Sequence, residues 1–191
     1  LAPGVGGIDT LTLVGGVDLD GDFEAEIDGT GAGTADLAAI TGDLDITNAT
    51  LNVSELVTAD DAEYLIATYT GTLTGTTFAA TSGVPNGYGV QVDTTAKTIK
   101  LVQIAVLVTE TGGSTDATEG GATDSFTVAL SAFPTANTTV TITPDSDVDL
   151  GNGAGVALAL TFTSTTGQTA QTVTVTANDD SLVEGPEVSH L

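Results

Sequence analysis

The sequence holds no cysteine, no methionine and no tryptophan. Its one histidine is His190, and its only cationic side chains are Lys97 and Lys100. Each absence closes a class of chemistry. Without cysteine there is no disulfide and no thiol nucleophile. A lone histidine beside the last residue leaves no Ser-His-Asp triad and no His/Cys zinc site. Two lysines and no arginine give phosphate-handling chemistry little to grip. The acidic residues number 26, for a net charge of -24. That charge repels nucleic acid phosphates and anionic lipid headgroups, so nucleic acid is not expected as a partner. No run approaches the roughly 18 apolar residues of a membrane span, so membrane insertion is not expected either.

What is abundant is small or β-branched: 24 glycines and 37 threonines in 191 residues. The chain begins at Leu1 with no basic segment and apolar core ahead of its folded pattern. It therefore reads as a mature chain or as part of a longer one. Strong acidity without cysteine suits an extracellular, bacterial cell-surface setting, where divalent cations neutralise carboxylates. The acidic face of a halophile's enzyme has the same composition.

The apolar pattern has period two, which predicts an all-β chain. In residues 17–28, Val17, Leu19, Phe23, Ala25 and Ile27 alternate with Asp18, Asp20, Asp22, Glu24, Glu26 and Asp28. This is a strand with one apolar and one acidic face, interrupted at Gly21. Asp18-Leu19-Asp20 matches Asp43-Leu44-Asp45 at an offset of 25 residues, and Leu13–Gly16 matches Ala39–Gly42 at 26. Short strands, glycine corners and a repeat of that length predict solenoid turns, with parallel strands stacked turn upon turn. Such a register would set Asp18 and Asp20 about 4.8 Å from Asp43 and Asp45. Residues 55–63 are the one place where a helical turn or two is expected. Tyr64–Tyr69 and Thr72–Thr74 read as strands, and Pro85-Asn86-Gly87 as a turn. Tyr88–Asp93 and Thr98–Val102 read as a hairpin around Thr94–Lys97. Beyond residue 104, strands are expected at Ser125–Ser131, Thr138–Thr143, Ala157–Thr163 and Thr172–Ala177, with glycine and proline turns between them. The expected domains are therefore 1–104, a solenoid, and 105–191, a sandwich.

Two resemblances follow from particular residues. The stretch Tyr64–Phe78, with Gly83-Val84-Pro85-Asn86-Gly87-Tyr88, resembles the closing segment of autotransporter-type β-helix repeats. This implies a short right-handed parallel β-helix with a capping hairpin, from a secreted surface protein. Residues 105–191 resemble a bacterial Calx-β domain, an Ig-like β-sandwich. The matching stretches are Thr118–Gly121, Phe126–Leu130, Leu160–Phe162 and Val173–Glu187. That resemblance implies a Ca²⁺ site at one end of the sandwich, built from Glu119, Asp179, Asp180, Glu184 and Glu187. Asp147 or Asp149 stands in for a mid-domain ligand. It also implies that the sandwich is incomplete, because the sequence stops at Leu191, before the family's last strand.

Calcium is the one cofactor these residues argue for, since Ca²⁺ collects six to eight oxygen ligands. The alternative is that this loop is acidic because it is solvated. Asp18–Asp22 fails as an EF-hand, whose glycine comes sixth rather than fourth. An enzyme is not expected. A carbohydrate-active β-helix enzyme would want an Arg or Lys base, or a carboxylate pair among sugar-stacking aromatics, and this chain has three tyrosines and five phenylalanines. The sequons at Asn48, Asn52 and Asn137 are no more than a threonine-rich chain produces by chance. The leading expectation is a structural module of a surface, matrix or filament protein, self-associating head to tail. The alternative is an adhesin-type module for a glycan or protein ligand.

Overall fold

The computed structural model describes residues 1–30 and 34–179. They are all-β, apart from one 3-10 turn at Thr111–Gly113. The chain divides into two units. The first comprises Leu1–Ala105 with Ser131–Ala136 and Thr163–Gln168. The second comprises Val106–Leu130, Asn137–Phe162 and, among the described residues, 169–179.

In the first unit, nine strands run in three successive sets. They are β1 (Thr10–Val14), β2 (Val17–Asp18) and β3 (Asp22–Asp28), followed by β4 (Thr34–Ala35), a short antiparallel neighbour of β3. Then come β5 (Leu37–Thr41), β6 (Leu44–Asp45) and β7 (Thr50–Val57), and finally β8 (Glu63–Tyr69), β9 (Leu73–Thr74) and β10 (Ala80–Ser82). Each strand pairs in parallel with its counterpart one set later. The ladders are β1–β5–β8, β2–β6–β9 and β3–β7–β10.

The register corrects the expected repeat. Thr10 lies opposite Leu37 and Val17 opposite Leu44, an offset of 27 rather than 25 or 26. Identical Asp-Leu-Asp triplets invite the shorter alignment, but the corners set the true one. Gly15 donates its N–H to Thr41 O at 2.8 Å, and Gly71 donates to Gly42 O at 2.8 Å. At Gly42 (φ 151°), a Cβ would sit 2.3 Å from Gly15 O, so only glycine lets the two turns approach. A second correction concerns 17–28. It is not one strand, because the chain bends at 19–21 and its halves join different ladders. A third concerns 55–63, which holds no helix; β7 runs through it as far as Val57.

Alternation carries the core. Phe23, Ala25 and Ile27 of β3 are buried, as are Leu51 and Val53 of β7, Leu44 of β6, and Tyr64 and Ile66 of β8. Burying each large side chain contributes about 1.5–3 kcal/mol. Phe23 and Phe78 stack with ring centroids 6.2 Å apart. The expected hairpin forms from β11 (Tyr88–Asp93) and β12 (Thr98–Gln103). β12 pairs antiparallel with β8, which ends the parallel run of that ladder. Lys97, at the hairpin turn, places its ammonium 5.4 Å from the Tyr69 ring centre.

The second unit begins with β13 (Val106–Glu110) and β14 (Asp124–Leu130). β15 (Phe133–Pro134) belongs to the first unit and pairs with β11. The second unit resumes with β16 (Thr138–Ile142), β17 (Val148–Asp149), β18 (Leu158–Phe162) and β19 (Gln171–Ala177). Its sheets are β13–β14–β19–β17 and β16–β18. Phe126, Val128, Leu130, Leu160, Phe162, Val173 and Val175 are buried, each from an alternating position on its strand. β13 departs from this rule. Val106 and Val108 share a face with buried Leu130 and Val128, yet are 49% and 61% exposed.

Candidate functional site

Two acidic regions could carry chemistry. In the first unit, the expected column of Asp18, Asp20, Asp43 and Asp45 is dispersed by the longer repeat. Only Asp18 and Asp45 stand opposite one another. Asp20 instead accepts a hydrogen bond from Asn48 Nδ2 at 3.0 Å, and Asp43 accepts one from Thr72 N at 2.6 Å. The nearby Asp20 carboxylate first, then a small loss of hydration and then Asp45, push the exposed Asp18 carboxyl up. Asp45 is pulled down by the Thr47 hydroxyl and the Thr47 N–H. Along β3–β7–β10 the outer face forms a chain of donors and acceptors. Asn52 Nδ2 donates to Glu24 Oε1 at 2.9 Å, and Ser82 Oγ donates to Asn52 Oδ1 at 2.6 Å.

In the second unit, β19 lies between β14 and β17, and its C-terminal end meets the starts of both. Asn178 donates its N–H to Asp147 O at 2.8 Å, which fixes the 145–149 loop beside Asn178 and Asp179. On the other side, Gly121 N bonds Thr118 O at 2.9 Å and closes a turn around Glu119. A Cβ on Gly120 would lie 3.4 Å from Asp179 Oδ2, so the Glu119 turn touches Asp179. The structure thus brings Glu119, Asp147 and Asp179 to the same end of β19. Asp149 points elsewhere. Its Oδ1 accepts from Gly151 N at 2.6 Å and Gly153 N at 2.8 Å, holding its own loop. Asp180, Glu184 and Glu187 lie outside the described residues. Among the described residues, no three or more Asp, Glu or His side chains form a group able to hold a metal ion.

Sequence reading missed Asp36. It is fully buried, and its two oxygens bind backbone donors from separate segments, Asp9 N at 2.9 Å and Glu26 N at 3.1 Å. The Glu26 carboxylate in turn accepts from Gly6 N and Gly7 N, both at 2.8 Å. Together they pin residues 4–9 to β3. Nothing in the alternation marks Asp36; the one available signal is an acidic residue directly before an apolar strand.

No protein family, curated protein or solved structure matches the chain.

The site must therefore be read from its own residues. The first unit also holds a cavity of about 210 Å³ with no charged lining, where Phe78 and Phe133 stand among Thr77, Thr81, Thr135 and Ser164. A neutral, hydroxyl-lined hollow with aromatic walls can take a neutral polar ring. The acidic regions can take cations. Among the described residues, no helix is long and apolar enough to cross a membrane.

Proposed function

We propose that this chain is a non-enzymatic structural module of a secreted bacterial cell-surface, matrix or filament protein. In this reading, residues 1–104 are a short right-handed parallel β-helix closed by a hairpin. Residues 105–191 are a Calx-β-like sandwich stiffened by Ca²⁺. The observation that carries the reading is the three parallel ladders advancing together at 27–30 residues per set, from Thr10 opposite Leu37 to Thr50 opposite Ala80. A chain coiled this way spends its side chains on stacking, with polar ladders such as Glu24–Asn52–Ser82 outside.

Calcium is supported by the meeting of Glu119, Asp147 and Asp179 at one strand end, in a chain of net charge -24. Self-association is supported by β13, an edge strand whose five residues are all exposed and include Val106, Leu107 and Val108. Thermal melts in calcium and in chelator, paired with sedimentation at rising concentration, test both parts. A melt indifferent to calcium removes the stiffening role, and a monomer at every concentration removes the assembly role. A second reading, an adhesin-type module, is favoured by the uncharged cavity beside Phe78, which suits a glycan. Saturation-transfer NMR with neutral monosaccharides tests it.

A further inference from the structure

We propose that Asn86 is a self-modifying site, converting spontaneously to aspartate and isoaspartate, and that the fold shields the chain's other Asn-Gly pair, Asn152-Gly153. The proposal is independent of the module's function. In an Asn-Gly pair the glycine nitrogen can attack the asparagine Cγ. A bond forms between that nitrogen and Cγ, the Cγ–Nδ2 bond breaks, and ammonia leaves with the proton. Water then opens the cyclic imide at either carbonyl, giving a normal or a β-linked aspartyl residue. The step needs an exposed carboxamide, room for a five-membered ring, and a glycine N–H not held by an acceptor.

Asn86 meets all three needs. Asn86 and Gly87 are both exposed, and beyond the adjoining residues no atom lies within 4 Å of where a Gly87 Cβ would be. The turn is closed around the reacting atoms rather than through them. Tyr88 N donates to Pro85 O at 3.1 Å, and Ile104 N donates to Gly87 O at 2.8 Å. Among the described residues, no acceptor takes the Gly87 N–H. Asn152 is held on both sides. Its Nδ2 donates to Ala157 O at 3.1 Å, and the Gly153 N–H points at Asp149 Oδ1, 2.8 Å away. A carboxylate beside that N–H opposes loss of its proton, which the attack requires. Modification at Asn86 adds a carboxylate to the turn leading into β11. The β-linkage adds a backbone carbon between Pro85 and Tyr88, whose hydroxyl donates to Asp61 O.

The test is incubation of the intact chain in mildly alkaline buffer, folded and in urea, followed by peptide mapping for the acid and isoaspartyl products. In urea the two asparagines should react at similar rates. In the folded chain Asn86 should react at least about tenfold faster than Asn152, a factor that corresponds to about 1.4 kcal/mol. Asn86→Gln should abolish the product in that peptide and leave the Asn152 peptide unchanged. Equal rates in the folded chain overturn the proposal. So does a folded Asn86 that stays intact while the urea sample reacts.

Discussion

Asp18 stands opposite Asp45 across two parallel strands, the one aligned carboxylate pair in the stacked ladders of the described residues. Their environments differ. Asp45 is steadied by Thr47, whereas Asp18 has Asp20 on its own strand and Asp45 on the next, and its carboxyl is pushed up. The folded chain therefore binds this proton more tightly than the unfolded chain. That contribution favours folding at low pH and is lost as pH rises past the usual 3.8 toward the raised value. Asp18→Asn should raise the melting temperature at neutral pH, with the gain vanishing in acid. Salt should reduce the gain, because these charges are exposed. Melts of both proteins across pH and salt check it.

Asp124 should show the opposite sign. The N–H groups of Asp116 and Ser125, both at 2.7 Å, hold its carboxyl below the usual range. Its contribution is present above 3.8 and disappears as pH falls through the depressed value. Asp124→Asn should flatten the acid limb of the second unit's stability curve. Amide exchange at Asp116 and Ser125, followed by NMR, reads this directly.

Replacing Asp36 tests a buried carboxylate. Asp36→Ala leaves the part-buried N–H groups of Asp9 and Glu26 without their acceptor, at about 0.5–1.5 kcal/mol for each. Urea unfolding should show the loss. Amides of residues 4–9 should exchange faster than those of β8.

Much of this architecture was legible in advance. Tyr64–Tyr69 and the Tyr88–Asp93/Thr98–Val102 hairpin alternate cleanly between turn residues, so their strands lie within a residue or so of expectation. The bend at 19–21 was hidden because Asp18-Leu19-Asp20-Gly21-Asp22 keeps its alternation through the corner. The repeat was misjudged because matching letters say nothing about backbone approach. The Gly15–Gly42 contact, invisible as a pattern, sets the register. Asp36 was missed because burial of a single polar residue comes from loops closing over it, a long-range event. At the second unit's acidic end, the resemblance already set Glu119 and Asp179 together; choosing Asp147 over Asp149 needed the loop geometry beside the pairing of β17 with β19.

Calcium should act on the second unit. A cation bound only by the folded chain adds about 2.7 kcal/mol at a hundredfold excess over Kd. Asp179→Asn should shrink the calcium-dependent shift in melting temperature and leave the melt in chelator nearly unchanged. Asp149→Asn should spare the shift, since that carboxylate serves its own loop.

The bare edge at Val106–Glu110 predicts its own remedy. An inward-facing charge on an edge strand discourages pairing with another chain. Val108→Lys should lower any association seen by sedimentation and leave the fold intact, because Val108 is already 61% exposed. Association undiminished by the lysine would move the contact elsewhere.

The glycines at the stacked corners make length a heritable, stepwise quantity. Because Gly42 admits the backbone of the preceding set, with Gly15 O 2.3 Å from a would-be Cβ, these two corners meet through main chain. A duplicated or deleted stretch that begins and ends at such a corner would keep the main-chain contact found at Gly42. The stack can then grow or shrink in increments of about 4.8 Å, the spacing between paired strands, without a new core being invented each time. Reach along the ladders would then be set by the number of stacked sets rather than by the makeup of any one of them.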